Sequence, residues 1–159
     1  MTRPLALALA LTTLTACGDS AASGGSAAST TPGPGECPWV SNADASAALG
    51  VPVTLTPPDA NMPDSCMLTP EPTTYTGGGM INRWVGQSFE SNISSYPTQV
   101  PVEGLADQAA WAVQNGTDGR LFFKEGDDLF GIQLMWNAAA AGDHRARAEA
   151  LARAILAQT

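Results

Sequence analysis

Positive charge is scarce in this chain. Seven Lys and Arg stand against fifteen Asp and Glu, a formal net charge of −8, and the cations form no cluster. That balance argues against nucleic acid as a partner and against electrostatic adsorption to anionic lipid. Histidine is scarcer still, with His144 the single one. A lone His between Asp143 and Arg145, in the first turn of a predicted helix, reads as structural, because a general base needs a partner to orient it. The chain also lacks the G-x-S-x-G, H-E-x-x-H and P-loop patterns that supply a nucleophile, a zinc site or a phosphate cradle. "NGTDG" (115–119) and "KEGDD" (124–128) concentrate carboxylates but lack the alternating spacing and distal Glu of an EF-hand loop, and read as hairpin turns. "TGGG" (76–79) has no following Lys and reads as a flexible turn. No catalytic residue, metal ion or cofactor is expected.

A long apolar run is also missing. Near the start, "PLALALALTTL" (4–14) follows Arg3, and it falls short of the roughly 20 apolar residues that span a bilayer. A positive residue, a short apolar stretch and small residues before a cleavage point form a secretory signal peptide, here residues 1–16. Leu14, Thr15, Ala16 and Cys17 match the bacterial lipobox. In that motif the Cys thiolate takes a diacylglycerol, the chain is cut before it, and the new amine is often acylated with a palmitate-type chain. The competing reading is a plain signal peptide whose Cys17 later pairs with another Cys. Two or three acyl chains, at about 0.8 kcal/mol per buried methylene, anchor a protein where one chain binds only reversibly. Cys17 is thus the expected lipidation site, on the extracytoplasmic face of the cell membrane.

Large side chains are then absent up to Trp39. The Gly, Ser, Ala, Thr and Pro of 17–36 cannot bury enough apolar surface to offset ordering, so a flexible tether of roughly 25 Å root-mean-square length is expected. Thr30, Thr31, Pro32 and Pro34 form a short stretch of the kind that can carry O-linked sugar, although a bare spacer suffices. Residues 37–159, about 120 in number, make one domain able to bury its own core. Without Arg3 the mature chain has six cations against fifteen carboxylates. Acidity of this degree serves solubility or forms an acidic binding surface.

Cysteine is limited to three residues. With Cys17 used for lipid, Cys37 and Cys66 remain in an exported domain, where disulfides persist. They lack the Cys-x-x-Cys spacing of a redox pair and the further ligands of a zinc site. A structural disulfide is expected.

Periodicity predicts a helix at each end with strands between. Ser41 and Asp44 resemble a capping box that opens a short helix, and Gly50 stops it. "VPVTLT" (51–56) reads as an edge strand because Pro52 cannot donate to a ladder, and "CMLTP" (66–70) as its partner. "MINRWV" (80–85) is a strand with Met80, Asn82 and Trp84 on one face. Residues 86–99 stay ambiguous between helix and loop. Three further strand-like runs between 108 and 136 suggest an antiparallel meander. Ala148, Leu151, Ala152, Ile155 and Leu156 form one stripe of a final amphipathic helix, capped by Asp143. The expected class is α+β: an antiparallel sheet with a short N-terminal helix and an amphipathic C-terminal helix on one face.

The lipobox, the low-complexity tether, "CPWVSNADASAALGVPV", a second Cys-x-Leu about thirty residues on, and "VPVEGLADQAAW" together resemble a family of small actinobacterial lipoproteins grouped under a domain of unknown function. The family's elements fall on Cys37, Leu49, Gly50 and Cys66, then on Gly104, Leu105, Asp107 and Ala109, with Ala106 where a second Gly is usual. The resemblance implies an envelope location and a disulfide-pinned domain, and it carries over no catalytic residue.

Two functions fit these observations. One is a non-catalytic binding or accessory module of the cell envelope, whose partner is an envelope protein, a lipid or a cell-wall ligand. It predicts an exposed apolar patch or groove, with one of Trp39, Trp84, Trp111 and Trp136 taking part, although spaced tryptophans more often pack in a core. The other is an envelope enzyme or enzyme inhibitor with a carboxylate site built from Asp107, Asp127 and Asp128, which would have to meet in a pocket.

Overall fold

Ser41 begins the first helix, α1 (Asn42–Leu49), by accepting a hydrogen bond from the Asp44 amide at 3.0 Å while its hydroxyl donates to the Asp44 carboxylate. Gly50 ends it in the left-handed region at φ 68°, where a side chain would be strained. The computed structural model describes residues 31–71, 77–115, 118–136 and 143–159, so Cys17, residues 17–30 of the expected tether and most of "TGGG"'s approach lie outside the described residues. Within the described chain, Gly33 to Glu36 closes a turn: Glu36 donates its amide to the Gly33 carbonyl and accepts from the Gly33 amide.

The strands are β1 (Val53–Thr56), β2 (Ser65–Pro70), β3 (Gly79–Val85), β4 (Thr98–Pro101), β5 (Gln108–Asn115), β6 (Asp118–Glu125) and β7 (Asp128–Leu134). All neighbours pair antiparallel, in the order β1-β2-β3-β7-β6-β5-β4. Two meanders, β1-β2-β3 and β4-β5-β6-β7, are thus zipped together along β3 and β7, with Ile81 opposite Ile132. The start of β3 is squeezed between β2 and the end of β7. A Cβ on Gly77 would overlap the Met135 carbonyl, and Gly77 itself sits at φ 108°, so "TGGG" is a close-approach device.

Helix α3 (His144–Leu156) is capped by the Asp143 carboxylate, which accepts from the amides of Arg145 and Ala146. It lays Ala148, Leu151, Ala152 and Ile155, all fully buried, on one face of the sheet beside α1. Under them lie Leu121, Phe123, Phe130 and Ile132, with Phe123 and Phe130 stacked at 5.0 Å between ring centres. The fold is α+β, with the N- and C-terminal helices sharing one face. The ambiguous stretch resolves into a third helix, α2 (Phe89–Ile93), and strand β4. Helix α2 packs on the opposite face, where Phe89 and Ile93 join Ala110, Ala112, Phe122 and Leu129 in a small second core.

Candidate functional site

Cys37 and Cys66 are joined in a fully buried disulfide with a Cα–Cα distance of 5.9 Å. Because Cys66 alternates with Leu68 toward the α1/α3 side, the bridge fastens the start of the domain to β2 beneath the helices. Two of the three carboxylates of the alternative reading, those of Asp107 and Asp128, are engaged in local structure. Asp107 sits in the turn before β5 and accepts from the Gly126 amide at 3.0 Å. Asp128 pairs with Arg83 at 2.8 Å, and Asp127 uses its carbonyl to receive the Gly86 amide. Among the described residues, no group of three or more His, Cys, Asp or Glu is arranged to hold a metal ion. His144 borders a small cleft of about 290 Å³ with Trp136 and Gln133, and Arg147 lies 5.6 Å over the Trp136 ring.

Two surfaces offer room for a ligand. A cleft of about 550 Å³ opens where the chain enters the domain, walled by Pro38, Trp39, Pro57, Pro58, Pro63 and Val85, with Glu36, Asp64 and Arg83 at its polar side. The volume suits a small ligand. Prolines give this cleft a rigid rim but no donors. Its guanidinium is held by Asp128, and Glu36 is engaged by the amides of Gly33 and Asn42.

The second surface is the half of the sheet that α2 leaves uncovered. Trp39, Trp111 and Trp136 are buried in the main core, whereas Trp84 stays half-buried on this open face. Its indole stacks on Phe122, 6.4 Å between ring centres and 22° between planes. Arg120 lies over the same Phe122 ring at 5.7 Å and donates from Nη2 to Gln133 Oε1 at 2.6 Å. Between them is Gly131, where an added Cβ would come within 3.1 Å of the Trp84 ring and 3.4 Å of the Arg120 side chain. A missing side chain lets the aromatic and the cation close over the strand. Asn82, directly across from Gly131, is 5% exposed. Its Oδ1 accepts from the Ser65 hydroxyl at 2.7 Å while its Nδ2, turned away from Ser65, has no partner. Arg120 Nε is likewise unpaired. Buried donors without acceptors are rare enough to need an explanation.

The ion pairs among the described residues are Arg83–Asp128 and Arg145–Glu149, and Arg120 belongs to neither. The Glu90 carboxyl on α2 is held below its ordinary range. Its own backbone amide, then Ser88 and Gln108, bond to the charged form, and the charge of Lys124 adds to them. Of the residues at the open face, sequence reading had singled out Trp84 alone and had placed Asn82 on the same side of β3. Arg120 and Gln133 carried no signal, because their meeting depends on the pairing of β6 with β7.

No protein-family model, curated protein or solved structure matches this chain. No helix among the described residues is long and apolar enough to cross a membrane.

Proposed function

We propose that this protein is a lipid-anchored, extracytoplasmic binding module of the cell envelope, of the kind found among the actinobacterial lipoproteins its sequence resembles. Anchoring rests on residues 1–17: the apolar signal, the lipobox and Cys17. The buried Cys37–Cys66 bridge is the chemistry of an oxidising compartment and supports export. The observation that carries the binding role is the open half-sheet, where the half-buried Trp84 stacks on Phe122 with Arg120 over the same ring.

Intact mass measurement of membrane-extracted protein tests the anchor. Loss of residues 1–16, added acyl mass on Cys17, and two cysteines alkylated only after reduction are expected; an unacylated, diffusible protein would overturn it. Co-sedimentation of the domain 31–159 with washed envelope fragments tests the binding role. Retention of the unchanged domain and at least tenfold weaker retention of Trp84→Leu with Arg120→Met are expected, and equal retention of both would refute it.

A further inference from the structure

We infer that the cleft where the chain enters the domain binds a small organic cation with an apolar body, an amine or quaternary ammonium ion whose charge is met by Asp64. The site does not depend on the open half-sheet, since Arg83 and Val85 alternate with Trp84 along β3 and turn to its other side. Its walls are apolar and rigid. Pro38, Trp39, Pro57, Pro58, Pro63 and Val85 enclose about 550 Å³, within the range of small-molecule sites. Val85 is 67% exposed at the edge, so an apolar body seated there removes from water a side chain that the fold leaves wet. The loop between Pro58 and Pro63 is fixed by its own bonds. Asp59 Oδ1 accepts from the Asn61 and Met62 amides at 2.8 and 2.9 Å, and the Met62 carbonyl accepts from the amides of Asp59 and Ser65. The wall is therefore formed before a ligand arrives.

What the cleft has already spent selects the charge of its ligand. Pro57, Pro58 and Pro63 have no amide to donate. The Arg83 guanidinium is bound to Asp128 at 2.8 Å, which offsets its charge, and Glu36 is turned back to the amides of Gly33 and Asn42. Asp64 is left. It lines the cleft, is exposed and belongs to neither ion pair of the described residues, and its bond to β3 is made by its backbone carbonyl, which accepts from the Arg83 amide. The charge beside it has the same sign: the exposed Asp127 stands close to Val85, because its carbonyl accepts from the Gly86 amide. Such a mouth draws in a cation and repels an anion. A neutral apolar ligand would desolvate the Asp64 carboxylate without pairing it, and a bare inorganic cation would leave the apolar walls unused.

The test is a titration of the ¹⁵N-labelled chain 17–159, carrying Cys17→Ser so that it stays free of lipid, followed at the Asp64 and Val85 amides. Three probes share a phenyl body and differ in charge: phenethylammonium, 2-phenylethanol and 3-phenylpropanoate. Phenethylammonium should bind about tenfold tighter than either of the others, and tighter by a similar factor than methylammonium, which has the charge without the body. Asp64→Asn should bring phenethylammonium down to the affinity of the alcohol while leaving the alcohol itself unchanged. Glu149→Gln removes the same charge on α3, away from the cleft, and should alter nothing; unmoved Ile81 and Ile132 amides show that each variant keeps the fold. Equal binding of the three phenyl probes, no response at about 20 mM, a preference that survives Asp64→Asn, or one lost equally in Glu149→Gln would overturn the assignment.

Discussion

Glu90 is a residue whose protonation the fold acts on directly. At the first turn of α2 it accepts from Ser88 Oγ and Gln108 Nε2, and both bonds, with that to its own amide, favour the carboxylate. Its pKa is therefore lowered from 4.5, so the stabilisation is present above that value and is lost as pH falls through the folded-state value below it. Replacing Glu90 by Gln keeps a neutral acceptor and removes the titration. Urea midpoints followed from pH 6 to pH 3 should fall less steeply for Glu90→Gln than for the unchanged protein; identical slopes would mean the carboxylate contributes nothing. Residues of the candidate site show why so little of it was legible. Trp84 and Asn82 could be assigned to a common face because they alternate within one strand. Arg120 and Gln133 lie on different strands and Gly131 carries no side chain to notice, so the cluster exists only through register.

At the scale of elements, each edge of the sheet is closed by a different device, which removes a template for pairing with another chain. The outward amides of β1, Val53 and Leu55, donate to Ser46 Oγ at 2.9 Å and Asn42 Oδ1 at 2.8 Å, so α1 serves as a cover for the strand. On β4, Val102 donates to Ala109, which by alternation turns Gln99 and Pro101 outward, and Pro101 has no amide to offer. Asn42→Ala with Ser46→Ala should cost about 1–3 kcal/mol, two bonds of 0.5–1.5 kcal/mol each, and raise the light scattering of concentrated samples as the β1 edge opens. The disulfide acts on the same region by shortening the unfolded chain. Its loop of 29 residues' separation corresponds to roughly 3.5 kcal/mol in the chain-entropy treatment, so Cys37→Ala with Cys66→Ala should lower the stability measured in urea by about that much. The end helices, their caps and the edge strand were readable because each is set by local chemistry: Ser41, Gly50, Pro52, Asp143. Strand β4 was not, since a four-residue strand with every residue exposed has no hydrophobic alternation. The union of β3 with β7 was equally hidden, being a pairing between segments more than forty residues apart.

Across the whole molecule the sheet is built unevenly, and the unevenness sets where it can move. One face is sealed by α1 and α3 over a continuous core from Val53 to Leu134, fastened by the disulfide and by Gln158 of the last turn, which donates to Asp44 of α1 at 2.9 Å. The other face has one five-residue helix, held by Phe89 and Ile93 over Ala110, Ala112 and Phe122. A helix that short has little cooperativity of its own and depends on those two anchors. Opening it exposes a small core while leaving the main one intact, so its free energy must lie well below that of global unfolding. Hydrogen exchange should show this as two classes. Amides of Ile81, Leu121 and Ile132 should exchange only through global unfolding and slow together when the disulfide is present. The Ser94 amide, bonded to the Glu90 carbonyl at 3.0 Å, should exchange at least a hundredfold faster and be insensitive to the disulfide. The open face has the same dependence, since Phe122 lies under both α2 and the Trp84–Arg120 cluster. A ligand seated on Trp84 should therefore slow exchange at Ser94 without touching Ile81, and equal slowing at both positions would mean that the two halves of the sheet open as one unit.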